Sequence, residues 1–147
     1  MEQILFYRLP EPHGYMSNFH RSKIYVFGDW HTTSEHAYQT QKTVSMEERA
    51  TFKKEAVTPR QAQVMGQKLT CRIDWDAIKD TIMYACLVAK FTQHHDLLEQ
   101  LLATKDAELV EDSPVDWYWG WGKDRTGKNM LGKQLMEIRE QLKNYHE

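Results

Sequence analysis

The chain has 147 residues, and its 19 Lys and Arg against 21 Asp and Glu leave a net charge of −2, which excludes the strongly basic surface of a sequence-blind nucleic-acid coat. An apolar fraction of 41% suits one globular domain, read as residues 1–147, and no apolar run approaches the roughly 20 residues of a membrane span. The opening Met1-Glu2-Gln3 has no basic flank and no apolar h-region, and Cys71 and Cys86 lack CxxC spacing, so a cytoplasmic chain with two reduced, buried thiols and no disulfide is expected.

The first thirty residues read as strand and loop. Ile4-Leu5-Phe6-Tyr7 is a short apolar run closed by Pro10 and Pro12, and Lys23-Ile24-Tyr25-Val26-Phe27 is a strand ended by Gly28-Asp29. The rest is expected to be mostly helical. Ser34 is placed as the cap of a helix running to about Val44, and Ser45-x-x-Glu48 is a capping-box pattern before a second helix. Thr58-Pro59-x-Gln61 puts proline in the first turn of a third. Asp74 is read as the cap of the longest helix, to about Gln93, whose apolar residues from Trp75 to Phe91 roughly follow helical spacing. A short helix over 96–103 follows. The last, from about 129 to 144, carries Leu131, Leu135, Ile138 and Leu142 on one side. The predicted fold class is mainly α (α+β), a single helical domain with a small N-terminal β element.

Between the last two helices lies Ser113-Pro114-Val115-Asp116-Trp117-Tyr118-Trp119-Gly120-Trp121-Gly122. Glycine breaks regular structure, and bulky aromatics on a loop need something flat to cover, a side chain or a ligand base. Gly120-x-Gly122 and Gly127-Lys128-Asn129 lead into a helix N-terminus, a weak pointer to a phosphate seat. Glu35 falls in a first helical turn, where the helix dipole favours an acid whatever its role. Tyr38, Gln39 and Lys42 recur at three- and four-residue spacing and can share its face, giving a polar pocket wall. Glu35-His36 lacks the second ligand of a metal motif, and His95-x-x-x-Glu99 is read as a solvated helix face. No metal and no cofactor are called for.

A series of short motifs runs in order along nearly the whole chain: Phe6-Tyr7, Ser17-Asn18-Phe19, Trp30, Ser34-Glu35-His36, Gln39-x-Gln41-Lys42, Thr58-Pro59, Ala62-x-x-x-Gly66, Arg72-x-Asp74-Trp75, Ala89-Lys90-Phe91-x-Gln93, Leu109-Val110-Glu111, Asp116-x-x-Trp119-Gly120-x-Gly122 and Asn129-x-Leu131-Gly132. In these the chain resembles the NADAR family. The resemblance implies hydrolysis of an N-glycosidic bond between a ribose and a base or base precursor. Glu35, Asp116, Trp75 and Trp119 match family positions associated with catalysis. Glu35 would orient the sugar or activate water, Asp116 would be the second acid, and Trp75 and Trp119 would bracket the base. Arg72, Lys42, Lys90 and Asn129 are candidates for a phosphate or sugar hydroxyl, and Asn18, Phe19 and Tyr38 for further substrate contacts. Trp117 and Trp121 are expected in the core or at a pocket rim.

Three readings stay open from the sequence. One is a small-molecule N-glycosidase acting on a ribose 5-phosphate derivative of a pyrimidine-type riboflavin-biosynthesis intermediate. Another removes ADP-ribose from guanine in nucleic acid. The last is a non-catalytic ADP-ribose or nucleotide-binding module, against which the retention of both Glu35 and Asp116 argues. The partner is thus a ribosylated base or an ADP-ribosylated guanine. Stable nucleic-acid binding is not indicated, and no membrane partner is expected.

Overall fold

The computed structural model describes residues 2–144. Among these residues six helices and four short strands fall into two compact units, one formed by residues up to His20 with those from His94 onward, the other by 21–93.

The 21–93 unit opens with a hairpin of β2 (Ile24–Val26) and β3 (Asp29–His31), in antiparallel register with Tyr25 opposite Trp30; β1 belongs to the other unit. Phe27 and Gly28 both sit at positive φ, 57° and 76°, the backbone that a two-residue hairpin turn requires. The strand thus ends ahead of Gly28, as the sequence indicated, with Phe27 already in the turn and Asp29 opening a second strand that the sequence did not show. Helix α1 (Ser34–Thr40) follows. Its cap is Thr33, not Ser34: Thr33 holds extended backbone, and its hydroxyl accepts from the His36 N–H at 3.1 Å. The helix ends at Thr40, short of Val44, where the Thr40 hydroxyl turns back to the Ala37 carbonyl at 2.7 Å.

Ser45 caps α2 (Met46–Thr51) through the Glu48 N–H, but the box is half made, because the Glu48 carboxylate takes the Thr43 hydroxyl instead. Helix α3 (Pro59–Lys68) carries the complete reciprocal box of Thr58 and Gln61. The longest helix is α4 (Trp75–Gln93). Asp74 gives its carbonyl to Ala77 and Ile78, while its carboxylate faces Arg72 at 2.6 and 3.2 Å rather than capping. Every residue of α1 is buried, and α1 packs on α3 and α4. Ile24, Ala37, Phe52, Ala62, Met83, Leu87 and Phe91 fill this core. At the end of α4 the Gln93 amide brackets Tyr25, exchanging two 2.8 Å bonds with its backbone, so a side chain satisfies the strand's outer N–H and C=O.

The other unit contains β1 (Gln3–Phe6) and β4 (Glu108–Glu111), paired in parallel with Ile4 opposite Leu109, together with α5 (His95–Ala103) and α6 (Met130–Leu142). Sequence periodicity missed β4, a four-residue strand. Helix α6 lies close on it: a Cβ at Gly132 would stand 2.1 Å from the Leu109 carbonyl oxygen, so only glycine fits there. Phe6, Met16, Leu97, Leu101, Leu109, Leu131, Leu135 and Ile138 are its core. The mainly helical α+β class read from the sequence is the class observed. No helix among the described residues is long and apolar enough to cross a membrane.

Candidate active site

In the 21–93 unit the polar residues gather at the start of α1. Glu35 is only 6% exposed in the first turn, where unpaired N–H groups and the helix dipole favour a carboxylate. Its Oε2 accepts from the Gln39 amide nitrogen at 2.6 Å, a charge-assisted bond one turn apart. The Gln39 oxygen has no hydrogen-bond partner among the described residues. Lys42 follows on the same face with its ammonium 5.9 Å from the Tyr38 ring centre. Burial pulls the Lys42 ammonium below the usual lysine range, while Cys71 and Glu35 act to raise it and Lys79 to lower it. Tyr38 in turn packs on Trp75, with centres 5.1 Å apart and planes tilted by 56°. Glycine at 66 permits this close fit: a Cβ there would lie 1.8 Å from the Gln39 amide oxygen and 3.4 Å from the Lys42 nitrogen.

The structure thus brings Glu35, Tyr38, Gln39, Lys42 and Trp75 together and gives Gln39, expected only as part of the pocket wall, the bond that holds Glu35. Trp75 is 7% exposed, with its neighbour Tyr38 as ring partner. Arg72 donates its backbone N–H to the Lys42 carbonyl at 2.8 Å, but its guanidinium is taken by Asp74, whose carboxyl it holds below the usual range. Lys90 is wholly buried, and burial brings its pKa down to about 7. His36 is fixed beside Glu35, its ring bonded to the Thr33 hydroxyl and the Val57 carbonyl, both at 2.8 Å; burial holds it below the ordinary histidine range. Both cysteines are free, but only Cys86 is buried. Cys71 is exposed because it lies in the link between α3 and α4 rather than on a helix, contrary to the expectation of two buried thiols.

The Trp-rich loop belongs to the other unit. Ser113 starts it by accepting the Asp116 N–H at 3.1 Å. Asp116 Oδ1 then accepts the N–H groups of Tyr118 at 2.9 Å and Trp119 at 2.8 Å, a side-chain turn that places both rings. Those rings meet edge to face at 5.0 Å. Trp119 is half-buried. Trp117 is 47% exposed with its indole N–H on Asp124, so it is no core residue; the half-buried Trp121 gives its N–H to Asp112 at 2.7 Å. Asn129 spends its amide on β4, accepting from the Glu111 N–H and donating to the Leu109 carbonyl, both at 2.9 Å. Asn18 is buried and Phe19 half-buried beside the short 3-10 turn at Gly14–Met16, where the Phe19 N–H meets the Ser17 hydroxyl. His95 and Glu99 form an exposed pair at 3.5 Å, the solvated helix face expected. Among the described residues no group of three or more His, Cys, Asp and Glu is gathered to hold a metal.

A mainly helical α+β scaffold with a buried, amide-held carboxylate beside a partly desolvated lysine defines the class of site. The NADAR domain matches residues 5–143, and the chain belongs to the NADAR family. It is 41% identical over 145 residues to an N-glycosidase of Nostoc punctiforme, covering 96% of this chain and 93% of that protein. It is also 41% identical over 141 residues to the N-glycosidase YbiA of Escherichia coli, covering 95% of this chain and 88% of YbiA. A riboflavin biosynthesis protein of Vibrio vulnificus is 39% identical over 148 residues, covering 99% of this chain and 40% of that longer protein. The solution structure of E. coli YbiA superposes with a TM-score of 0.89 at 40% identity, over 98% of this chain and 86% of YbiA.

Proposed function

We propose that this chain is an N-glycosidase that hydrolyses the bond between ribose 5-phosphate and a pyrimidine-type intermediate of riboflavin biosynthesis. The hydrolase class is supported by family membership and by the relatives named N-glycosidases. The riboflavin pathway is supported by the relative named a riboflavin biosynthesis protein, of whose length this chain spans 40%. The match over residues 5–143 supports treating 1–147 as one functional domain.

The observation that carries the reading is the Glu35 carboxylate, 6% exposed and held through Oε2 by Gln39. Breaking the C–N bond sends its electron pair to the base nitrogen and leaves positive charge on the anomeric carbon. A fixed carboxylate in a desolvated setting stabilises that charge, takes a proton from the attacking water and directs the resulting hydroxide to the carbon. The departing base nitrogen takes up a proton in exchange for the one Glu35 removed from water, which passes back through solvent and restores the carboxylate. Lys42 is assigned to the sugar or its phosphate and Trp119 to the base face. Asp116 positions Trp119 through its double acceptor bond. Trp75 supports Tyr38. Lys90 and Asn129 are assigned structural roles, the first by its full burial and the second because its amide is spent.

The test is incubation of pure protein with a pyrimidine N-riboside 5-phosphate, reading ribose 5-phosphate and free base. Glu35→Gln is expected to lower kcat by about 10²–10⁴-fold with the melting curve unchanged. Near-wild-type turnover in that variant removes Glu35 from the mechanism. Release of ADP-ribose from an ADP-ribosylated guanine oligonucleotide, with no cleavage of the riboside, overturns the substrate assignment.

A further inference from the structure

Outside the residues used above, the unit that carries the Trp-rich loop holds a cleft of about 330 Å³ lined by Tyr7, Arg8, Glu11, Asp112, Lys123 and Arg125 among others. We propose that it binds the phosphate monoester of a small organic molecule, with the three cations on the phosphoryl oxygens and the Tyr7 ring against the organic part.

The first support is charge that lacks a partner. Among the described residues, Arg8, Lys123 and Arg125 form no ion pair with any carboxylate. The two acids of the same cleft are engaged elsewhere: Glu11 accepts the Arg8 backbone N–H, and Asp112 accepts the Trp121 indole N–H. The three cations outnumber the two acids of the cleft and are not ion-paired with them, and a guanidinium fork suits the oxygens of a phosphoryl group.

The second support is preorganisation. The Arg125 guanidinium carbon stands 5.1 Å from the Trp121 ring centre, and Trp121 is itself tied to Asp112. The Arg125 backbone is left-handed, φ 64°, a conformation that costs a non-glycine residue and that the tight turn at Gly122 imposes. An arginine held in a costly backbone, stacked on an anchored indole and ion-paired with no acid is built to meet an anion. Tyr7, 40% exposed, supplies the flat wall. The volume lies at the small end of ligand pockets, which suits a sugar phosphate rather than a dinucleotide.

The experiment reads binding without turnover, so it stands apart from the hydrolytic reading. Ribose 5-phosphate is titrated into the full chain while the Trp121 indole N–H is followed by NMR, that signal being assigned with Trp121→Phe. Saturable movement of the Trp121 signal is expected, tighter than for inorganic phosphate and weakened by salt. Arg8→Gln, Lys123→Gln and Arg125→Gln, all at exposed positions, should each weaken it about 10- to 100-fold. Arg125→Lys should lose affinity as well, since it keeps the charge but not the fork. A Trp121 signal that does not move, equal affinities for inorganic phosphate and the ester, or affinities unchanged across the variants overturn the site. A single-stranded oligonucleotide that moves the signal where ribose 5-phosphate does not overturns the small-ester assignment in favour of a phosphodiester backbone.

Discussion

Replacing Gly66 by alanine tests how tightly α3 governs the carboxylate on α1. The new Cβ would fall 1.8 Å from the Gln39 amide oxygen. That oxygen ends a flexible side chain, which would make the collision cheap if the chain could swing away. Gln39 is 3% exposed, however, and its amide nitrogen is bonded to Glu35, so moving it breaks a bond to a charged group worth about 1.5–3 kcal/mol. Overpacking adds about 1–3 kcal/mol, and the better helix propensity of alanine returns up to about 1 kcal/mol. The expected net loss is about 1.5–5 kcal/mol, at about 2–4 °C in Tm for each. Turnover should fall about 10- to 100-fold because Glu35 loses its clamp. The decisive comparison is a double-mutant cycle. In Gln39→Ala there is no amide oxygen to strike, and the Lys42 nitrogen at 3.4 Å can give way, so adding Gly66→Ala should be neutral or stabilising. Thermal melts and kcat of the four proteins measure this. If Gly66→Ala costs the same in both backgrounds, Gly66 does not act through Gln39 and the account of the clamp is wrong.

Asp116→Asn keeps an Oδ1 acceptor for the Tyr118 and Trp119 N–H groups, so turnover should stay within about tenfold of wild type, whereas Asp116→Ala should lose it; a dead asparagine variant with an unchanged melt would make the carboxylate a reacting acid. Trp119→Ala should raise KM by the loss of about 1–3 kcal/mol of stacking while the melt moves little; a collapsed Tm with normal kinetics in the folded fraction would make it a packing residue. Gly122→Ala should destabilise the loop by about 1–3 kcal/mol, since φ is +73° and a Cβ would stand 2.4 Å from the Trp117 ring; hydrogen exchange of residues 117–128 measures it. Lys90 has its pKa brought from 10.5 down to about 7, so between those values the unfolded chain holds a proton the folded chain lacks, and stability rises with pH across that window and is lost below it. Lys90→Met should flatten the rise, by an amount of order a few kcal/mol; parallel Tm profiles for the two proteins would refute it.

Where a helix start is written in one contiguous signal, the sequence was enough: Thr58-Pro59-x-Gln61 predicts the box that α3 makes. Thr33-Ser34 was ambiguous, since either residue can cap, and only the extended backbone at Thr33 decides. Gly28 punctuates a strand in either direction, and a strand of four residues such as β4 offers too little periodicity to read. Glu35 and Tyr38 were legible because helical spacing sets them on one helix, whereas Lys42, past the end of α1, comes back to Tyr38 through the turn in which its N–H meets the Gln39 carbonyl. The bond from Gln39 was not legible, because a carboxamide can face either way along a helix. Lys123 and Arg125 share one turn, but Arg8 is brought to them by tertiary structure, so no local pattern announces the cleft.

The pairing of β1 with β4 bears on how the chain is assembled during synthesis. Gln3 and Glu108, side by side in that ladder, are 105 positions apart, whereas the 21–93 unit is a single uninterrupted stretch of chain. On the ribosome the hairpin and α1–α4 can therefore condense as soon as Gln93 has emerged, while Phe6 and Met16 stay without their core partners until α5, β4 and α6 are made. Closing so distant a ladder carries the larger entropy cost, and the apolar N-terminal segment is exposed to aggregation for that interval.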